Sequence, residues 1–391
     1  MGLEVHAMLL DQSFRRTLIA RLLLSAGPST AAALLVAAPG CGGEPEAADV
    51  RCFEWPEELG ACLDRRQAVE ELRTLYPRCN DYIESVESDA VQRDGTCCYE
   101  VTSRHNSMYC GVPGRPFTLE GHRRTAVPRA ADPGWLARGR ETRAGGTMPS
   151  LAELTDEERE TLAESWLRSA LEEHASVASF ARFALDLMAL GAPSSLVEAA
   201  HIAALDEVGH ARLGFSLASA YRGEPVGPAA LPMPGGVPVA ADLVSLARAA
   251  AEEGCVGETV AALMAAEQRA RAGDPAVRAA LEAIAEDEAR HAELAWLTVA
   301  WAIGAGGEPV RRAVVEVFEA AALSLGRPPP AAAEPPRGRA AALAAHGHLG
   351  GAELRELPRA ALAQVVLPCA RALGLWTPAD AGGAVAPTAS A

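Results

Sequence analysis

The sequence predicts an all-α fold in which a four-helix bundle, with one long crossover between helices two and three, follows a small disulfide-rich module. Three observations lead to this prediction: helix-start signals recur across residues 151–306, one connection there is long and rich in Gly and Pro, and six cysteines crowd into a short preceding segment. The predicted domains are 1–41, an export signal; 42–115, a cysteine-rich module; 116–150, a linker; 151–306, the bundle; and 307–391, a helical tail with a Pro- and Ala-rich linker.

The composition excludes several classes of protein. Among 391 residues, 35 are Arg or Lys and 51 are Asp or Glu, so the formal net charge is −16. The sequence contains no lysine, which excludes enzymes that form a Schiff base through lysine and ordinary P-loop NTPases, because both need a lysine. Nucleic-acid binding is not expected, since nucleic-acid binders concentrate positive charge on one face. Metal cations are more natural partners for this acidic chain.

The amino terminus has the pattern of a bacterial export signal. Arg15, Arg16 and Arg21 precede an apolar run from Leu22 to Gly40, which stops at Cys41. We therefore expect an exported, periplasmic or outer-membrane-associated protein, with lipidation of Cys41 as its only membrane attachment. The alternative is a transmembrane anchor, which the short apolar stretch disfavours, because a span needs about 20 residues.

The cysteine-rich module is expected to hold three disulfides, since an even, crowded set of cysteines in an exported chain indicates a disulfide framework. Its cysteines are Cys52, Cys62, Cys79, Cys97, Cys98 and Cys110. The adjacent Cys97 and Cys98 must pair with different partners, and the connectivity otherwise stays open. A zinc cluster is the competing interpretation, but the sequence has no Cys-x-x-Cys spacing.

Helix-start signals place the four helices of the bundle. Thr155 and Ser195 each stand three residues before a glutamate, as in a capping box, and Asp274 precedes Pro275 as an N-cap followed by a first-turn proline. The helices are therefore predicted near 156–190, 194–222, 240–272 and 275–303.

The connection from Gly223 to Pro238 explains the predicted order of the helices. Extended, it reaches about 50 Å, which is enough to span helices that are about 45 Å long. Such a crossover is needed when helices two and three run parallel, so we expect one-crossover connectivity rather than a simple up-and-down bundle.

A repeat within the bundle combines residue types that bind metals. The repeated units are Glu173 with Asp206-Glu207-x-x-His210, and Glu253 with Asp287-Glu288-x-x-His291. Residues three apart lie on one face of a helix, so a Glu and a His from one turn can hold the same ion or adjacent ions. Two such helical hairpins would place four carboxylates and two imidazoles around a pseudo-twofold axis, which is a ligand set for two metals.

The helical periodicity supports three of these carboxylates and leaves the fourth open. Glu173, Glu207 and Glu288 each interrupt an apolar stripe, where an ionised carboxylate is costly unless it is paired or binds a metal. In the third helix the stripe favours Glu253, whereas counting outward from the Gly273 turn favours Glu258. The small residues Gly254 and Gly257 there allow close packing or leave room beside the metals.

A second Glu-x-x-His match, Glu198 to His201, is excluded from the site. Glu198 is nine residues from Glu207, which is half a turn round the helix, so it faces away. A capping role already explains it.

The segment from Glu158 to Ile303 resembles the ferritin-like superfamily of di-iron carboxylate proteins. Residues 287–291 match the Asp-Glu-x-Arg-His motif of that superfamily, and residues 206–210 match it except at Gly209. By this resemblance the metal ligands would be Glu173, Glu207, His210, Glu253, Glu288 and His291. Asp206 and Asp287 would then accept hydrogen bonds from the histidine N–H groups.

The resemblance implies a dinuclear centre with two iron ions, two manganese ions or one of each. The leading hypothesis is an oxidoreductase acting on dioxygen or peroxide with an electron donor that the sequence does not identify, and fold alone does not choose the reaction. The alternatives are iron binding or storage without a dedicated substrate, and a metal-free structural or interaction bundle. The oligomeric state is left open.

The tail is predicted to form a helix near Val310 to Leu323 and a final helix near Gly351 to Leu375, packed beside the bundle. Cys255 lies away from the ligand stripe and Cys369 lies in the final helix. We expect these two cysteines to form a disulfide that holds the final helix against the bundle.

Overall fold

The computed structural model describes residues 12–25, 49–54, 62, 64–65, 68, 82–86, 88–93, 96–104, 114–119, 122–130, 133–137, 148–233, 235–325 and 337–376. Its contacts divide the chain into two units, residues 30–110 and residues 1–29 with 111–391. The chain is mostly helical, which agrees with the predicted all-α class.

A small antiparallel sheet forms much of the described part of residues 30–110. Its strands are β1 (Asp49–Glu54), β2 (Tyr82–Val86), β3 (Val91–Arg93) and β4 (Thr96–Arg104). β4 pairs with each of the other three strands, and Tyr99 on β4 is buried. The all-α prediction did not include this sheet, because the crowded cysteines and turns of this region hide the period-two pattern of its strands.

Two neighbouring cysteines of β4 take part in disulfides. Cys97 is bonded to Cys62, and Cys98 is also disulfide-bonded. The remaining cysteines predicted to be bonded or lipidated have side chains outside the described residues. They are Cys41, Cys52, Cys79 and Cys110. The rest of the connectivity and the lipidation of Cys41 therefore stay predictions.

The described parts of residues 1–29 and 111–391 form a helical body. Its helices are α1 (Gln12–Ser25), α2 (Asp156–Ala189), α3 (Ser194–Arg222), α4 (Leu243–Ala249), α5 (Thr259–Arg271), α6 (Pro275–Gly306), α7 (Glu308–Leu325), α8 (Arg337–Ala345), α9 (Gly351–Ala361) and α10 (Leu367–Ala372). A π-helical segment, Ala250–Glu258, joins α4 to α5 without a break, and another, Leu362–Val366, joins α9 to α10. The four helices predicted for the bundle therefore form, with ends within about three residues of the predicted ones.

The caps explain where α2 and α6 begin. Thr155 Oγ1 accepts a hydrogen bond from the backbone N–H of Glu158, whose carboxylate accepts one from the N–H of Thr155. Asp274 accepts hydrogen bonds from two N–H groups of the first turn of α6. The capping box predicted at Ser195 does not form, because the N-cap is Pro193, two residues earlier, and it makes no side-chain cap.

Two helix pairs share one core. α2 packs along α3, α6 packs along α5 and the first π-helical segment, and α3 also contacts α6. Phe180, Phe215 and Trp296 are fully buried in this body, and burying each such side chain stabilises the fold by about 1.5–3 kcal/mol. The packing turns the inward faces of these helices towards one another.

The predicted linker, residues 116–150, packs on the helical body where it is described. It forms one strand pair within itself, β5 (Thr118–Leu119) with β6 (His122–Arg123), and a second pair, β7 (Pro128–Ala130) with β8 (Val226–Pro228), attaches it to the body. β8 lies in the crossover between α3 and α4. Phe117 and Leu119 are buried with Ala175 of α2. Burial of apolar side chains therefore holds this part of residues 116–150 against α2, although its composition predicted a linker without such contacts.

The tail packs beside the body as predicted. α7 contacts α4 and α6, and the π-helical segment that follows α9 contacts α7 and α5. The predicted disulfide is wrong, because Cys255 and Cys369 are both free thiols. Each is fully buried, and a buried free cysteine acts as a small hydrophobic residue that needs no covalent bond to hold the helix.

The amino-terminal segment forms α1, which packs against α6. Leu18 and Leu22 of α1 are buried, and the Arg15 guanidinium donates to the Gln364 side chain at 2.6 Å. Among the described residues, no helix combines the length and the apolar character needed to span a membrane. Export remains a prediction from the sequence pattern.

Candidate metal centre

Carboxylates and imidazoles converge where α2, α3, α6 and the continuous third helix, made of α4, the first π-helical segment and α5, face one another. Each helix of the two pairs contributes at least one of them. The residues are Glu173 from α2, Glu207 and His210 from α3, Glu258 from the end of the first π-helical segment, and Glu288 and His291 from α6. Their possible ligand atoms form two groups, Glu173 with Glu207, His210 and Glu288, and Glu258 with Glu288 and His291. Within each group these atoms lie no more than 4.8 Å apart.

Two glutamates lie between the two imidazole rings. His210 Nδ1 is 3.6 Å from Glu207 Oε2 and 3.4 Å from Glu288 Oε1. His291 Nδ1 is 3.1 Å from Glu207 Oε1 and 3.7 Å from Glu288 Oε2. These four side chains are at most 3% exposed. Both Nδ1 atoms therefore point into the cluster, as ligand atoms must.

The outer nitrogens of the histidines bond to aspartates across the pair of helices. His210 Nε2 lies 3.1 Å from Asp287 Oδ2, and His291 Nε2 lies 3.3 Å from Asp206 Oδ2. Arg290 bridges the two aspartates at 3.0 and 2.6 Å. In a neutral ring, an Nε2–H bonded to a carboxylate leaves Nδ1 with its lone pair directed inward, where it can bind a metal. Each aspartate therefore contacts the histidine of the opposite helix, at the nitrogen where an acceptor was expected.

Burial and charge give the carboxylates two kinds of protonation behaviour. Burial and the charge of Glu207 raise the pKa of Glu173 well above its usual value, and burial and the charge of Glu288 do the same to the pKa of Glu258. For Glu207 and Glu288, burial also acts to raise the pKa, but the facing imidazoles outweigh it and lower both pKa values.

The two histidines behave as partners of these carboxylates. Burial acts to lower their pKa values, but Asp287 at His210, Asp206 at His291 and the glutamates between the rings raise both well above the usual value. Without a metal, the cluster therefore holds its charge as imidazolium–carboxylate pairs.

The cluster fits a metal because its polar atoms are not satisfied by the protein. Within the described part of the chain, six buried atoms of the ligand set have no hydrogen-bond partner: Glu207 Oε2, His210 Nδ1, Glu258 Oε1 and Oε2, Glu288 Oε2 and His291 Nδ1. Buried polar groups are normally hydrogen-bonded, so each exception calls for an explanation. Carboxylate oxygens with imidazole nitrogens are a donor set suited to iron and manganese.

The preferred ligand of the third helix is corrected. Glu258 is fully buried in the cluster, whereas the carboxylate of Glu253 lies outside it, 3.2 Å from Arg115 Nη1 and 3.5 Å from Arg182 Nη2. The apolar stripe that favours Glu253 is that of a regular α-helix, which turns by about 100° per residue. In the π-helical segment the hydrogen bonds run from i to i+5, so each residue turns the helix less and Glu258 comes round to face the cluster.

Arg115 is a residue beside the cluster that the sequence analysis did not single out. Its guanidinium is buried between the π-helical segment and two aromatic rings of α2. The only signal was the pair of glycines noted in the third helix. A Cβ on Gly254 would lie 2.9 Å from Arg115 Nη2, and a Cβ on Gly257 would lie 2.6 Å from the carbonyl oxygen of Gly114. Gly114 and Arg115 therefore fill the space beside the two glycines that was predicted to lie next to the metals.

The excluded Glu-x-x-His match lies on the outside of α3. Glu198 and His201 are both exposed, and His201 Nδ1 contacts the Val197 carbonyl oxygen of its own helix. This placement confirms that the spacing alone does not identify a ligand pair.

Comparisons of the chain with protein-family models, with curated proteins and with solved structures gave no match. The site is therefore interpreted from its own geometry.

Proposed function

We propose that this chain is a dinuclear metal protein with ferritin-like four-helix architecture, and that its two ions are iron, manganese or one of each. The observation that carries the proposal is the buried set of unsatisfied carboxylate oxygens and inward-facing Nδ1 atoms. The helix order supports the architecture, since the long connection falls between α3 and α4.

Glu288 belongs to both ligand groups, and Glu207 lies between both histidines. These two carboxylates would help to hold both ions, and Glu173 and Glu258 would each help to hold one of them. Four glutamates would balance the charge of two divalent ions. The aspartates would hold each histidine in the tautomer that binds through Nδ1.

We further propose an oxidoreductase that acts on dioxygen or peroxide. Two such ions, when bound, supply the change of valence that this chemistry needs. The protein contributes a site from which bulk water is largely excluded, and the electron donor is unassigned. Following its amino-terminal pattern, we place the protein outside the cytoplasm, in the periplasm or at the outer membrane.

The first experiment measures metal content and the ultraviolet-visible spectrum of the full-length protein and of a Glu207→Ala, Glu288→Ala double variant. The matched control is Glu198→Ala, which removes an exposed carboxylate from the same helix as Glu207. About two iron or manganese ions per chain, retained in the control and lost in the double variant, are expected.

The same preparation separates the alternatives. Consumption of dioxygen or peroxide by the loaded protein would support the oxidoreductase. Uptake of iron far beyond two ions per chain would favour storage. No bound metal in the wild type would contradict the dinuclear proposal and leave a structural or interaction role.

A further inference from the structure

Arg115 lies behind the Glu258 end of the cluster. Its side chain is 1% exposed, and Nε is 3.5 Å from Glu258 Oε1 while Nη1 is 3.2 Å from Glu253 Oε2. The guanidinium carbon stands 4.8 Å from the ring centre of Phe180 and 4.3 Å from that of Phe183. A buried cation therefore faces one end ligand of the proposed centre.

The backbone holds this arginine in place. The Gly114 N–H donates to the Gly257 carbonyl at 3.1 Å, and the Ser176 hydroxyl donates to the Arg115 carbonyl at 2.7 Å. Because Gly254 and Gly257 have no Cβ, the segment approaches the π-helical turn closely. Such contacts limit how far the guanidinium can move away from Glu258.

The two ends of the cluster differ in charge. At the Glu173 end the neighbouring charged groups are Glu207, Glu288 and His210. At the Glu258 end a permanent cation is added, and its Nε and Nη2 atoms and both oxygens of Glu258 have no hydrogen-bond partner within the described residues. An ion entering this end must share Glu258 with Arg115 and is repelled by its charge.

We propose that Arg115 is a positioning residue that makes the two metal positions unequal: it competes with the metal for Glu258, so the ion at the Glu173–His210 end binds first and the ion at the Glu258–His291 end binds second and more weakly. This inference rests on the proposed dinuclear site. It adds an order of loading that the pseudo-symmetric ligand set does not imply.

The test is calorimetric titration of the full-length, metal-free protein with Mn²⁺, which yields two dissociation constants. In Arg115→Gln the second dissociation constant should fall about tenfold, because the competing charge is gone, while the first changes less than about threefold. Glu253→Gln should act in the opposite direction. It frees Arg115 to pair more fully with Glu258, so the second constant should rise about threefold.

Arg123→Gln is the matched control, since Arg123 pairs with Glu172 of α2 at 2.9 Å and neither residue belongs to the two ligand groups. Both of its constants should stay at the wild-type values. If Arg115→Gln does not fold, as thermal melting would reveal, the Glu253→Gln titration decides alone.

Two outcomes would overturn the role of Arg115 and leave the dinuclear site intact. In the first, the wild type has two unequal dissociation constants that neither variant changes. In the second, the second dissociation constant rises in Arg115→Gln. A wild type that binds no Mn²⁺ and no Fe²⁺ would instead overturn the proposed function, and the inference with it.

Discussion

Replacing Glu288 by Gln should abolish both metal positions and also destabilise the metal-free protein. Glu288 is the one residue that occurs in both ligand groups. Gln keeps the size of the side chain and removes its charge, so loss of metal would reflect the lost carboxylate rather than a cavity. We expect the wild type to bind two ions per chain and the Glu288→Gln variant to bind none.

The cost to the metal-free fold follows from the distances. Glu288 lies 3.4 Å from His210 Nδ1 and 3.7 Å from His291 Nδ1, and the raised pKa values of both histidines keep them charged. Removing one partner of a buried ion pair costs about 3–5 kcal/mol, and we expect about 3 kcal/mol, because Glu207 still faces both rings. For a body of this size, about 1.5–2 °C per kcal/mol gives a fall in Tm of about 5–6 °C.

The assay is thermal unfolding followed by circular dichroism after treatment with a chelator, together with metal analysis before it. Glu198→Gln is the control, because its carboxylate is exposed and its loss should change stability by less than about 0.5 kcal/mol. A Glu288→Gln protein that keeps two metals would refute the assignment of Glu288 to both ligand groups. An unchanged Tm in the metal-free state would refute the buried ion pairs.

Two more predictions concern the end ligands and pH. Glu173→Gln and Glu258→Gln should each leave about one metal per chain, and metal analysis showing two in either variant would contradict the assignment of that residue. The metal-free protein should lose stability as the pH rises above about 6.5, the pKa of histidine in the unfolded chain. Protonation of His210 and His291, whose pKa values are raised in the folded protein, stabilises the fold fully below that pH, and this stabilisation is lost as the pH rises through the raised pKa values. Metal stabilisation should grow over the same interval, because ions displace those protons; melting curves from pH 6 to 9 with and without Mn²⁺ should therefore diverge, and parallel curves would be inconsistent with this account.

Much of the helical body was predictable because its signals are local. The caps at Thr155 and Asp274 act within one turn of their own helices, and both form as predicted. The spacing of Glu207 with His210 and of Glu288 with His291 puts each pair on one helical face, whatever the rest of the chain does. The apolar stripes then turn those faces inward, so most of the candidate site could be assigned from the sequence.

Other features depend on contacts between distant residues. Counting from the Gly273 turn favoured Glu258 and the apolar stripe favoured Glu253, and the π-helical turn that decides between them leaves no signal in the residue pattern. Arg115 and Glu253 are 138 positions apart, and no local rule links them. The free thiols of Cys255 and Cys369 likewise reflect how their helices pack.

Hydrogen bonds within one helical turn are set by neighbouring residues, so the sequence by itself determined the helices and the inward faces that carry the carboxylates and imidazoles. The rotation of the third helix, the sheet of residues 30–110 and the burial of a single arginine beside Glu258 were decided only by the tertiary structure. The physical reason is that these features depend on which residues, far apart in the sequence, pack together and are removed from water. Such burial is a property of the whole fold.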